Sequence, residues 1–205
     1  MAQSALSKKP APIIDVFRQG HKSISFSPSV SGTHEKVTAA GAITNYRSLT
    51  AGLEVKYQQF RQDNYSVGLF ARLSYTEQVA GLQNSRTSTL LPNAALGVLV
   101  RRYLPVSQKI SFYGSGAGEL GYGWVRTKYA ESVPKTLRST QQIGLNGSVG
   151  IIYVFAPRWS VDLDARLLQF QAQRNDPLVR NANYNFTLSG ISSFQSFSVH
   201  LTHYF

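Results

Sequence analysis

FQSFSVHLTHYF, residues 194–205, ends the chain in a strict alternation. One parity carries Phe197, Val199, Leu201, His203 and Phe205; the other carries Ser196, Ser198, His200, Thr202 and Tyr204. Successive side chains of a strand point to opposite faces, so the segment predicts a strand with one mostly apolar and one mostly polar face. Its reading decides the fold because the rest of the chain repeats it.

Alternation recurs near 21–32, 48–59, 65–77, 91–103, 109–125, 140–155 and 158–172, which makes the C-terminal segment the eighth. Leu49, Leu53 and Tyr57 oppose Glu54 and Lys56; Tyr65, Leu69, Leu73 and Tyr75 oppose Arg72. In the seventh segment Trp159, Val161, Leu163, Ala165 and Leu167 oppose Asp162, Asp164 and Arg166. The connections alternate in length. Those near 33–47, 78–90, 126–139 and 173–187 are long and polar, whereas FRQDN (60–64), LPVSQ (104–108) and AP (156–157) are short. Up-and-down membrane barrels have short periplasmic turns and longer outer loops. Segments of this length also exceed the usual strands of soluble sheets and suit tilted membrane strands.

Composition agrees. Charged residues are 15% of the chain, against about a quarter in ordinary soluble domains, while Tyr and Phe number 11 each. No run approaches the roughly 20 apolar residues of a spanning helix. There is no cysteine, hence no disulfide framework or thiolate metal site. The start, MAQSALSKKPAP, lacks the apolar core of a secretory signal and reads as a mature start behind an added Met. The expected architecture is all-β: an eight-stranded antiparallel up-and-down transmembrane β-barrel over 21–205, with a periplasmic extension over 1–20.

If the apolar faces look outward, the inward faces hold Glu54, Lys56, Arg72, Arg101, Glu119, Asp162, Asp164 and Arg166, a neutral interior network. Buried charges are costly unless paired, and an eight-stranded barrel is just filled by its side chains, so a plugged, non-conducting interior is expected. The net charge of +11 then lies on the two rims. Scattered basic residues without a recognition motif argue against nucleic acid. Outer-membrane lipids, including lipopolysaccharide phosphates, are the partners expected for the rims.

Other chemistries find little support. The glycines of YGSGAGELGYGW (113–124) lie within a strand alternation and not between a strand and a helix, so they form no nucleotide loop. His21, His34, His200 and His203 show no metal-ligand spacing, and no cofactor is expected. Ser198 and His200 share the inward face of the last strand and are the candidate pair for an alternative reading, a lipid-modifying enzyme on the same barrel. A soluble lipocalin-like carrier of an apolar ligand is the other alternative; there the apolar faces would point inward.

The eight segments, the loop rhythm, the glycine-rich fifth strand and the final HYF together resemble the small bacterial outer-membrane barrels of the OmpA/OmpX type. The resemblance covers approximately 20–205. It implies a bacterial outer-membrane location with both termini periplasmic, and a monomer. It also implies insertion by the barrel-assembly machinery, with Phe197, Val199, Leu201 and Phe205 as the recognised signal. No catalytic residue follows from it, and a non-enzymatic structural or surface-interaction role is expected.

Overall fold

In the computed structural model, which describes residues 14–39, 42–82, 85–128, 135–177, 183–189 and 197–205, the alternation becomes strand. The strands are β1 (Lys22–Ala39), β2 (Ala42–Gln62), β3 (Tyr65–Leu82), β4 (Ser85–Pro105), β5 (Ile110–Lys128), β6 (Lys135–Ala156), β7 (Trp159–Pro177), β8 (Asn183–Ser189) and β9 (Phe197–Tyr204). Each pairs antiparallel with the next through β7, whose far edge carries β8 along 169–175 and β9 along 159–165. β8 and β9 thus form two stretches of one eighth stave, and β9 pairs with β1 to close the barrel.

The closing seam is short. Lys22 and Phe205 exchange both backbone hydrogen bonds at 2.9 Å, and among the described residues the ladder continues only from Ser23–Phe26 against Tyr204–Leu201. In an antiparallel ladder the doubly bonded positions alternate, so after Lys22 they fall on Ile24, Phe26 and Pro28. Pro28 has no N–H, and the pairing stops there, as expected for a proline inside a strand.

The apolar parity faces outward. Leu69 is 60% exposed, and Leu53, Leu73, Leu96, Val98, Leu145, Leu163, Val199 and Leu201 are exposed with it. Aromatic side chains bound this band. Tyr46, Tyr75 and Tyr122 lie toward the long-hairpin end, and Tyr57, Phe112, Tyr153, Phe155, Trp159 and Phe205 toward the short-turn end. His203 packs between Trp159 and Phe205, with ring centroids 4.6 and 6.1 Å away. At about 3.3 Å per residue and ~40° tilt, Tyr65 to Tyr75 covers roughly 25 Å of barrel height, the thickness of an outer-membrane apolar belt.

Three sequence expectations change. The long connections are largely strand: β1 and β2 continue to Ala39 and from Ala42, and the other long hairpins extend similarly. Hydroxyl pairs across the ladder, such as Thr89 with Thr127 at 3.4 Å, help hold such polar extensions together. Their tips, including 129–134 and 178–182, lie outside the described residues, as do the side chains of Lys36, Arg86 and Arg180. Leu167 is not on the outward parity. Ser148 pairs with Arg166 but Gly147 with Leu168, so Leu167 is the extra residue of a bulge that resets the alternation to Leu168 and Phe170.

Residues 14–20 are not simply an extension either. A 3-10 turn, Asp15–Phe17, seats Ile14, Val16 and Phe17 in the short-turn end of the barrel. Phe17 is 0% exposed and stacks on Tyr103 (4.4 Å) and Phe60 (5.6 Å), with Tyr204 at 6.0 Å. Backbone bonds fix it: Asn64 N–H donates to the Phe17 carbonyl and Gly20 N–H to the Phe60 carbonyl, both at 2.9 Å. Asn64 adopts φ 61° in the Asp63–Asn64 turn, a left-handed conformation that asparagine tolerates. Two glycines make room for interior rings. A Cβ on Gly97 would collide with the Phe70 ring, and one on Gly150 with the Tyr113 ring.

Candidate functional site

Above the aromatic plug the inward residues of the strands assemble a polar layer. Arg101, on β4, is 2% exposed and reaches across the barrel to β7. Its Nη1 donates to Asp162 Oδ2 at 3.0 Å, its Nη2 lies 3.8 Å from Asp164, and its guanidinium stands 4.0 Å over the Tyr113 ring. The second oxygen of Asp162 accepts from Ser160 at 2.8 Å. Lys56 and Glu54, neighbours on the inner face of β2, pair at 3.0 Å. One guanidinium nitrogen of Arg72 donates to both oxygens of Glu119 at 2.9 and 2.8 Å, and Arg72 also lies 3.8 Å from Glu54. Charge-assisted bonds of this kind compensate the cost of placing ions inside a narrow barrel.

All eight residues expected inside the barrel sit there, and seven of them join in these ion pairs. Arg166 does not. Its guanidinium donates to the amide oxygen of Gln169 at 3.3 Å and has no carboxylate partner among the described residues. On the outer face Val199, Leu201 and Phe205 are exposed, while the side chain of Phe197 lies outside the described residues.

Beneath these pairs is a network that residue-type reasoning missed. Gln58 Oε1 accepts from Ser66 at 2.8 Å and from Tyr103 at 3.2 Å, and Ser160 meets Tyr204 at 3.0 Å. The signal was present, since each lies on the inward parity of its strand. Between this floor and the long hairpins is a cavity of about 260 Å³, walled by Glu54, Lys56, Arg72, Glu119, Arg166 and Ser198 among others.

Ser198 and His200 do meet: Ser198 Oγ lies 3.0 Å from His200 Nε2. Lys56 Nζ, however, lies 3.3 Å from the same nitrogen. A neutral imidazole nitrogen has one lone pair, which the ammonium and the hydroxyl must contest. Among the described residues His200 Nδ1 has no partner, so none of them is the acid that would orient the ring for nucleophilic catalysis. Asp162 stands opposite His200 in the ladder, but Arg101 and Ser160 occupy its oxygens. The pair is a link in a polar network, without the arrangement of an activated serine. Among the described residues no cluster of three or more His, Asp or Glu side chains could hold a metal ion.

No family model matches the chain, and no curated protein does. A solved structure does: a major outer membrane protein from Thermus thermophilus superposes with a TM-score of 0.52 at 10% identity, covering 92% of this chain and 100% of that one. This is the fold of an outer-membrane β-barrel. The outer membrane protein OprG from Pseudomonas aeruginosa matches with a TM-score of 0.45 at 13% identity, over 92% of this chain and 97% of that chain. Within the outer-membrane barrel fold the interior just described is this chain's own, since identities this low carry over no residue roles.

Proposed function

We propose that the protein is an integral bacterial outer-membrane barrel of the small OmpA/OmpX type, with a structural or surface-interaction role and no catalytic one. The observation that carries this reading is the outward apolar band bounded at both edges by aromatic rings. A soluble carrier would turn that face inward, toward its ligand. The short turns, the N-terminal turn and the last strand share one end, which is periplasmic in this reading, and the long hairpins face the exterior. Exposed Arg47 and Arg126 near the outer rim suit lipid and lipopolysaccharide phosphates. Arg18, Lys22, Arg61, Arg102, Lys109 and Arg158 suit anionic head groups on the other side. Phe197, Val199, Leu201 and Phe205 would form the face read by the barrel-assembly machinery, and the finished barrel would be monomeric.

Refolding into detergent or lipid should yield a species whose migration on unboiled gels differs from that of the boiled chain. A monomer that folds fully in detergent-free buffer would overturn the proposal.

The Ser198–His200 contact favours one second reading, a lipid-modifying enzyme. Acyl release from lipid A that disappears in Ser198→Ala would establish it. Equal release by wild type and variant would dismiss it.

A further inference from the structure

We propose that the interior cavity is a blind binding site for a small oxyanion, a carboxylate or a phosphate group, held by Arg166. Three features of the wall point there.

The first is charge partition. Arg72, Lys56 and Arg101 are each within ion-pair distance of carboxylates, and Arg101 serves both Asp162 and Asp164. Among the described residues Arg166 meets only the neutral Gln169 amide, although Asp164 lies two residues before it. A guanidinium cannot shed its proton, and taking it partly out of water without an anion is unfavourable. An anion in the cavity would supply the missing partner.

The second is the backbone device that makes this side chain available. The bulge at Leu167 interrupts the ladder immediately after Arg166, and bulges re-aim the side chains beside them. Opposite Arg166 in the register stands Ser148, whose hydroxyl lies 2.6 Å from that of Ser115. Asn146 follows next on the same inward face. Arg166, Ser148, Ser115 and Asn146 all line the cavity. A fork of N–H donors beside two hydroxyls is the chemistry that holds a carboxylate or a phosphate.

The third is access. Along β7 exposure rises from Asp162 (1%) through Asp164 (7%) to half-buried Arg166, so the cavity is wetter toward the long hairpins and dry at the plug. In that direction the amides form a file. Arg166 donates to Gln169, Gln169 to Gln171 at 3.2 Å, and Gln171 to Gln142 at 3.0 Å. A neutral hydrogen-bonding lining lets a small anion shed water stepwise before it reaches the charge. The aromatic plug gives it no exit on the other side, so binding and not passage is the expected behaviour.

The test uses the full chain refolded in a nonionic detergent, with folding checked by gel migration so that failure of the barrel reading is seen separately. Titrations at constant ionic strength would compare acetate, inorganic phosphate and glycerol phosphate, the last standing for a soluble lipid head group. Saturable binding of at least one is expected, and its identity separates a carboxylate from a free or esterified phosphate. Arg166→Gln should bind roughly ten- to a hundredfold more weakly, the range of a lost charge-assisted hydrogen bond. If Arg166→Gln does not fold, the unaltered chain still decides. The bound anion should slow phenylglyoxal modification of Arg166 and leave exposed Arg102 and Arg158 reacting as before. Equal binding by Arg166→Gln and wild type, no saturable binding, or unprotected Arg166 would overturn the proposal.

Discussion

The hydroxyl of Ser27 donates to the carbonyl of Val199 at 2.8 Å, where the closing ladder would have used the N–H that Pro28 lacks. A side chain thus replaces one backbone rung at the seam between first and last strands. Ser27→Ala should cost about 1 kcal/mol in urea unfolding from lipid vesicles. In a Pro28→Ala background, where an N–H is restored to the ladder, the same substitution should cost much less. The measurement is a double-mutant cycle, and strict additivity would show that the two groups do not serve one carbonyl.

Leu69 sits mid-strand on the outward face, 60% exposed. Leu69→Arg should destabilise the inserted barrel by about 2 to 4 kcal/mol, the midplane cost of a cation, while Val106→Arg in a short turn should cost ~1 kcal/mol or less. Reversible unfolding in vesicles compares them. Equal costs would mean that the outward face is not lipid-facing.

Arg101 is the hub of the interior pairs, and its loss strands Asp162 and Asp164. Arg101→Met should cost about 3 to 5 kcal/mol, because it leaves buried carboxylates without a counter-charge. Adding Asp162→Asn should recover part of that loss. Stability of the single and double variants, read from the unfolding midpoint, is the check.

Phe17 fills the short-turn end with three aromatic neighbours. Phe17→Ala should cost about 3 to 5 kcal/mol as a large-to-small exchange in a packed cluster. Planar-bilayer recordings of that variant should still show no conductance, since the Arg101–Asp162 layer closes the barrel independently. Ion flow in the variant but not in wild type would identify the plug as the sole barrier.

What the sequence made legible was whatever period two can encode. Parity gathered Leu53, Leu69, Leu145 and Val199 on one face and Glu54, Arg72, Arg101 and Asp162 on the other, and the alternation of loop lengths favoured turning the apolar face outward. Parity failed where the period breaks. Leu167 carries the right residue type on the wrong parity, because a bulge inserts one residue with no compositional mark. Polar hairpins such as those of β1 and β2 look like loops in the sequence, because alternation vanishes once both faces meet water while the backbone ladder continues. Ile14, Val16 and Phe17 did leave a trace, an apolar cluster after the prolines, but its target is built from strands far apart in sequence. Ser198 and His200 were legible as neighbours two apart on one face. That Lys56 contests the same imidazole nitrogen was not, since it comes from β2.

The N-terminal turn also sets an order of events. Phe17 rests on rings from β2, β4 and β9, and its last neighbour, Tyr204, is the penultimate residue of the chain. That surface is complete only when the final strand has met the first. The turn therefore docks fully only once the wall has joined, as a latch that tightens late, and a barrel arrested before closure would leave the bond after Phe17 easier for a protease to cut. Protection of the bond after Phe17 thus reports the moment at which the cylinder becomes complete.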